Sequence, residues 1–513
     1  MSPKIINTFV FLILAALALA MLANSMTKPL GRDEHMYCTA GVLLAQGKLI
    51  YRDFSYIAQM PYHPLLCAFL YKALNTTQYL LVGRMLSVVC DVLLAVCIVG
   101  IYRRIFDAFP VSGVLLGLAA VVLYVFNPFV DYANGFAWNH DVVFLCVVLS
   151  FWLFISIDFE QKSKYWRIAV IGALLTLATC MRITTALAQL LFFVVLLLRP
   201  SRSIKQKLQT ILPFLIASGC VLIWPIWIVT AAPRAFYLNL FWIPMLNSEW
   251  LRRIGMVFGK FDLIFVALTT PGYPLLILIA IQLWVTIALL RRKLKVSNVT
   301  NLLLAVLLPL VFFIIALIPP TMWKQYLAMP APFLVISFAY PLLYIRKLTD
   351  TPRHNKHFQI ARVLIAACAL VSVSLYPVVL RRIPKLTRPQ NWVPIRLHRI
   401  SQDIAERTKG PEPVLTLAPL YALEGGGNIY NEFSSGPFVY RIAHYMNTSD
   451  RKTAKAVGPE TLRQLLEKSP PAAIILGAER KPLEAPFLQA IASHSQQWHV
   501  EVYGNGLIVY FRR

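Results

Sequence analysis

The sequence predicts an α-helical polytopic membrane protein of about eleven spans with a small C-terminal α/β domain outside the membrane, and three observations predict it. Of 513 residues, 58% are hydrophobic and only 14% charged, with a mean hydropathy of +0.64. A soluble protein of this size does not carry so much apolar side chain. Apolar runs recur at about the 20-residue length that crosses a bilayer. After residue 380 the composition becomes charged and mixed.

The formal charge of +26, from 49 Lys+Arg against 23 Asp+Glu, would by itself raise nucleic-acid binding. Here the cations gather in short connections between apolar runs. They are Arg103 and Arg104; Lys162, Lys164 and Arg167; Arg199, Arg202, Lys205 and Lys207; Arg291, Arg292, Lys293 and Lys295; and Arg346, Lys347, Arg353 and Lys356. The positive-inside rule makes these connections cytoplasmic, facing anionic lipid.

Spans are expected near 7–27, 80–101, 113–130, 139–157, 167–181, 185–198, 209–230, 271–290, 300–318, 327–345 and 360–380. Residues 9–22 of the first have no polar side chain, and its small-residue steps lie inside the apolar run, which favours a retained anchor over a cleaved signal peptide. The fifth and sixth come from one apolar stretch interrupted by Met181-Arg182-Ile183-Thr184-Thr185. With basic flanks on both sides, that stretch crosses twice and leaves Arg182 near the outer face; one long tilted helix is the alternative.

Two external segments are too long for simple turns. In the first, 27–79, residues 65–74 are apolar but too short to span. They read as an interfacial helix with Tyr62, His63, Tyr71 and Tyr79 at headgroup depth. The second, 231–270, is rich in Trp, Tyr, Pro and basic residues and reads as the border of a lipid entry groove. In the C-terminal region, 413–417, 472–476, 499–503 and 507–511 are strand-like and 459–468 is helical in pattern. Gly425-Gly426-Gly427 lacks the spacing of a dinucleotide loop and reads as a turn. Among the eight cysteines, Cys38 and Cys67 share the first external segment, where a disulfide is one option, and no Cys-x-x-Cys or zinc spacing occurs.

Acidic residues are scarce, yet Asp33 and Glu34 stand side by side where the chain leaves its first span. A carboxylate there can take a proton from an acceptor or hold a cation. Two solvated loop acids capping a helix that begins near His35 is the plainer reading. Asp141, with His140, opens the fourth span, where it can serve a site or merely cap the helix. Lys324 and Arg182 are cations at outer span ends, with snorkelling to headgroups as the alternative. Arg52 lies in the first loop beside Asp53, its other natural partner, and Arg441 lies in the external domain.

Gly31-Arg32-Asp33-Glu34-His35-Met36-Tyr37, Gly47-Lys48-Leu49-Ile50-Tyr51-Arg52-Asp53-Phe54 and Pro61-Tyr62-His63-Pro64-Leu65-Leu66 resemble the first external loop of GT-C membrane glycosyltransferases. The protein O-mannosyltransferases and the aminoarabinose transferases that modify lipid A are the nearest comparisons. The resemblance extends to Asn139-His140-Asp141 and to Lys324-Gln325-Tyr326-Leu327 with Pro330. It departs at Pro61-Tyr62-His63-Pro64, where the aminoarabinose enzymes carry paired prolines, so the acceptor need not be lipid A.

The resemblance implies an inverting transfer of a sugar from a polyprenyl-phosphate donor to a lipid, glycan or protein acceptor, on the external side of what reads as a bacterial inner membrane. It gives Asp33 the role of base and Glu34 that of orienting it or of binding acceptor or a divalent metal. Asp141 and His140 form a second acidic position. Lys324, Arg182, Arg52 and Arg441 are the candidates for the donor phosphate. Residues 1–380 would form the membrane domain, including the first external loop 28–79, and 381–513 the external domain. A transporter or flippase of a lipid-linked substrate is the main alternative; repeated halves and broken midplane spans would mark it, and no duplication is visible. A non-catalytic assembly factor is the third class.

Overall fold

The computed structural model describes residues 3–161, 164–199, 203–256, 259–290, 299–319, 321–347, 352–408, 410–492, 498–504 and 506–513. Lys162, Arg202, Arg291, Arg292, Lys293, Lys295 and the side chain of Arg353 lie outside them.

A bilayer offers the backbone no hydrogen-bond partners, so apolar segments that enter it fold as helices. The N-terminal half contains α1 (Pro3–Thr27), α2 (Arg32–Ala45), α3 (Tyr62–Ala73), α4 (Tyr79–Ile105), α5 (Pro110–Val125), α6 (Pro128–Ala133), α7 (His140–Ile155), α8 (Lys164–Thr179), α9 (Ala186–Leu198) and α10 (Ile204–Ala231). Then follow α11 (Pro233–Tyr237), a π-helical turn (Leu238–Trp242), α12 (Ile243–Arg253), α13 (Lys260–Thr269), α14 (Tyr273–Leu290), α15 (Val299–Leu317), α16 (Ala331–Ser337), α17 (Ala339–Lys347) and α18 (Pro352–Leu375). A helix stands at every expected span. Among the described residues seven are long and apolar enough to cross a membrane and three more are apolar but shorter. The protein is an integral membrane protein.

Two of these segments are interrupted for identifiable reasons. The stretch around Arg182 is broken, with α8 ending at Thr179, Arg182 in extended conformation, and a 3-10 turn at Ile183–Thr185 leading into α9. The segment near 327–345 is divided into a 3-10 turn (Lys324–Ala328), α16 and α17. Pro330, Pro332 and Pro341 each remove a backbone donor there, and the segment lies deep in the bundle.

The interfacial helix appears as α3, with two of its expected headgroup residues turned into the protein. His63 and Tyr71 are buried. His63 packs edge-on against Tyr37 at 5.2 Å, and Tyr71 packs on Tyr79 at 4.7 Å. The cause is the close crossing of α2 and α3 at Gly41, where a Cβ would stand 2.8 Å from the Cβ of Cys67. Phe69 and Leu74, exposed by 66% and 59%, form the outward apolar face instead. Cys38 and Cys67 are buried free thiols.

All four strand-like runs form strands. They are β1 (Val414–Leu415), β2 (Ala473–Leu476), β3 (Trp498–Tyr503) and β4 (Leu507–Arg512), in the order β1-β2-β4-β3. β1 runs parallel to β2, pairing Val414 with Ala473; β2 and β3 both run antiparallel to β4. The central β2 is buried along its length, as its continuous apolar run requires. The glycine triplet does serve a turn, and close packing explains it: a Cβ on Gly425 would lie 2.1 Å from the Ser401 carbonyl oxygen.

The sheet-bearing region is tied to the loop after α2 and to the first turn of α4. Ser434 and Ser435 hydroxyls donate to the Ser55 carbonyl at 3.1 and 2.6 Å. Glu424 accepts the Leu80 amide at 2.6 Å. On the other side, the π-turn residue Asn239 accepts the amides of Tyr56 and Ala58, each at 2.9 Å.

The strongest tie is an ion pair buried on both sides, Arg84 of α4 with Glu34 of α2. Arg84 Nε and Nη2 donate to the two Glu34 carboxylate oxygens at 2.8 and 2.7 Å. Its remaining donors reach the carbonyls of Ser25 at 2.6 Å, Lys28 at 3.0 Å and Pro29 at 3.1 Å. These carbonyls lie in the last turn of α1 and in the two residues beyond it, where no intrahelical donor remains. Removing one partner leaves the other charge buried and alone. Glu34→Gln and Arg84→Met are therefore each expected to cost about 3–5 kcal/mol, read as a large fall in Tm or loss of folded protein in detergent. Wild-type melting of both would mean the pair does not hold α1, α2 and α4 together.

Candidate active site

Asp33 and Glu34 are neighbours in sequence with opposite surroundings. The helix α2 starts at Arg32, three residues before His35, with Gly31 as its cap. Glu34 turns inward and accepts four hydrogen bonds, the two from Arg84 together with Gly31 N–H at 2.7 Å and Ala137 N–H at 2.8 Å. A carboxylate has about four lone-pair directions, so Glu34 has none to offer a proton or a metal. Asp33, in the same first turn, is partly exposed and accepts no hydrogen bond among the described residues. Burial lifts its carboxyl above the usual carboxylate range; Arg32 and Arg441 pull the other way, Glu34 adds to the rise, and Arg182 opposes it.

Two cations from distant parts of the chain share this field. Arg182 stands at the break between α8 and α9. Its guanidinium faces His140 Nδ1 and donates to Asn139 Oδ1, both at a long 3.4 Å. Arg441, from the sheet-bearing region, is buried. Its Nε donates to Asn247 Oδ1 of α12 at 2.7 Å, and its guanidinium lies over Trp250 at 4.6 Å and Phe438 at 5.0 Å. Burial pulls its pKa down to about 10, and Arg32 adds to the fall. Neither has a carboxylate within ion-pair distance among the described residues. Arg32 does, in Glu479, with Nη2 2.9 Å from Oε2.

His140 and Asp141 are buried in the first turn of α7. His140 packs on Phe144 at 4.2 Å, with Nε2 unpartnered. Asp141 does not cap α7; it accepts the Gly135 amide of the preceding loop at 3.0 Å, and its other oxygen has no donor. Behind it Asn134 donates to Asp91 at 2.6 Å and to the Tyr124 hydroxyl at 2.7 Å. Lys28 donates to the carbonyls of Asn134 at 2.6 Å and Tyr132 at 3.1 Å, and burial brings its pKa down to about 8. This polar layer orders the 126–139 segment.

The other two predicted cations stand apart. Arg52 is exposed and paired through both Nε and Nη2 with Asp53, each at 2.8 Å. Lys324 is exposed and donates no hydrogen bond among the described residues. Two residues on, Tyr326 is the member of that 3-10 turn that shares the field of Asp33 and Arg182. Tyr326, Asn139, Tyr37 and Arg84 are the site residues that sequence reasoning missed or left without a role. Asn139, Tyr326 and Tyr37 stood inside motifs already singled out, whereas Arg84 carried no signal. No three His, Cys, Asp or Glu side chains converge among the described residues. One open carboxylate flanked by guanidiniums does not fit a divalent cation, which needs several oxygen ligands.

Residues 61–228 match the model of the family described as dolichyl-phosphate-mannose-protein mannosyltransferase. Across 98% of its length the chain is similar in structure to 98% of ArnT from Cupriavidus metallidurans bound to undecaprenyl phosphate, with a TM-score of 0.62 at 12% identity. An oligosaccharyltransferase from Archaeoglobus fulgidus in the apo form is similar over 98% of this chain and 74% of that one, with a TM-score of 0.53 at 10% identity. The chain has the GT-C fold. The archaeal AglB, in complex with an inhibitory peptide and a dolichol-phosphate, shares the GT-C fold over 99% of this chain and 74% of its own, with a TM-score of 0.51 at 11% identity. No curated protein matches the chain by sequence.

Within that fold, Arg182 and Arg441 are guanidiniums with open donors and no acid of their own among the described residues, an arrangement suited to a phosphate. Arg182→Gln and Arg441→Gln are each expected to weaken binding of a short-chain polyprenyl phosphate by about 1–3 kcal/mol, measured by calorimetry in detergent. Unchanged affinity in both variants would remove these cations from the site and bring Lys324 forward.

Proposed function

We propose that the protein is an inverting glycosyltransferase that moves a sugar from a polyprenyl-phosphate donor to a hydroxyl or amine of a lipid, glycan or protein acceptor. The reaction takes place at the membrane face that carries Asp33, which the positive-inside rule makes external and which in a bacterial inner membrane is periplasmic. Residues 1–380 supply the base and Arg182, and 381–513 supply Arg441. The observation that carries the proposal is the Asp33 carboxylate, free of hydrogen bonds among the described residues, in the field of two unpaired guanidiniums. Residues 61–228 match the mannosyltransferase model, and the similar ArnT and AglB structures hold undecaprenyl phosphate and dolichol-phosphate; both support a donor of that class.

The chemistry follows from the charges. Asp33 accepts the proton of the acceptor as its oxygen or nitrogen bonds to the anomeric carbon. The bond from that carbon to the phosphate oxygen breaks on the opposite face, so the configuration inverts. Negative charge collects on the departing lipid phosphate, where Arg182 and Arg441 stabilise it. The elevated pKa of Asp33 suits a base that must hold the proton it takes. Glu34 acts as a positioning residue: its bonds to Arg84 and to the amides of Gly31 and Ala137 set the direction of the turn that presents Asp33. Asp141 and His140 hold the loop and Arg182 in place.

Asp33→Asn keeps the side chain's size and is expected to lower transfer at least about a hundredfold while leaving polyprenyl-phosphate binding in place. Near-normal transfer by a folded Asp33→Asn protein would rule Asp33 out as the base, and would leave the assembly-factor reading standing if transfer proved to come from another protein.

A further inference from the structure

The end of the bundle remote from Asp33 carries a second polar site. On α4, Arg84 belongs to the Asp33 end, and Arg104 lies 20 residues further, roughly 30 Å along the helix. Two adjoining cavities of about 160 and 320 Å³ open there, sharing Arg104, Ile155 and Asn301 in their walls. They lie where α4, α7, α9 and α17 end and α15 begins.

The lining is cationic. Arg104 and Lys347 are exposed, and neither makes a hydrogen bond or ion pair among the described residues. Arg199 stacks over the Phe159 ring at 3.2 Å, with Glu160 the acid that acts on it. Asp107 is the carboxylate in the lining, and it accepts the Ala108 amide at 2.8 Å. Thr300, Asn301 and Tyr340 add neutral hydrogen-bonding groups. Cations that served only the carbonyls at these helix ends would be bonded to them, as Arg167 is to Ser156. Arg104 and Lys347 are not.

Leu198, adjacent in sequence to Arg199, is 69% exposed, and Val299, adjacent in sequence to Thr300, is 60% exposed. Phosphate is the anion whose tetrahedral oxygens suit the two cations that line each cavity, Arg104 with Lys347 in one and Arg104 with Arg199 in the other, together with the neutral donors. We propose that this cavity binds the phosphate of an anionic membrane lipid at the leaflet opposite the Asp33 site. It is a binding site separate from the proposed reaction, and it stands or falls independently of it.

The purified full-length protein would be titrated in nanodiscs of phosphatidylcholine with increasing phosphatidylglycerol, with inorganic phosphate in a parallel series, and lipid retained after exchange would be counted by native mass spectrometry. Phosphatidylglycerol should be retained over phosphatidylcholine. Retention should fall about fivefold for each charge removed in Arg104→Gln and Lys347→Gln, and Arg104→Lys should restore most of it. Arg381→Gln, an exposed cation elsewhere, controls for general surface charge. Equal retention in the wild type and the double variant, an equal fall in Arg381→Gln, or protection by inorganic phosphate with no lipid retention would each overturn the proposal.

Discussion

The buried pair of Arg84 and Glu34 is the constraint on which the rest of the site depends. Two charges taken out of water are tolerated only when every donor and acceptor is matched, and here both are. Glu34 receives four hydrogen bonds, and Arg84 gives its other donors to the carbonyls in the last turn of α1 and just beyond it. Three helices and the loop before α7 are thereby fixed at one point. The first turn of α2 then has a single orientation, with Glu34 inward and Asp33 about 100° further round the helix.

That geometry separates two tasks that adjacency in sequence had merged. A carboxylate saturated with donors is a strut, while one lacking them, in a site that resists its ionisation, is open to take a proton. The surrounding cations show the same division. Arg32, Arg52 and Arg382 each hold an acid, whereas Arg182 and Arg441 hold none among the described residues and share the field of Asp33. Stabilising a departing lipid phosphate calls for cations of this second kind, open and directed, more than for a high net charge.

Much of the architecture was legible in the sequence because it rests on composition. Span positions, the break at Arg182 and the four strands follow from apolar run length, from an interrupted run and from alternating patterns. The failures share another cause, which is packing between distant segments. Arg84 lies within an apolar helix and gives no local sign that Glu34 needs it. Nothing near Arg441 in the chain shows that it shares the field of Asp33. His63 and Tyr71 have the look of interfacial residues, and only the close crossing at Gly41 places them inside. Lys324 drew notice as a charge, yet the 3-10 turn it begins directs Tyr326 toward the site.

The most direct measurement is the pH dependence of kcat/KM for sugar transfer, in the wild type and in Arg441→Gln. Asp33 must be ionised to accept the proton, and its folded pKa is raised, so the rate should climb with pH along a limb centred above the ordinary carboxylate range. Arg441 favours the carboxylate form, so its removal should move that limb to still higher pH. A limb that stays in place without Arg441, or that persists unchanged in the residual activity of Asp33→Asn, would contradict an account in which Asp33 is the base and the guanidinium is its neighbour.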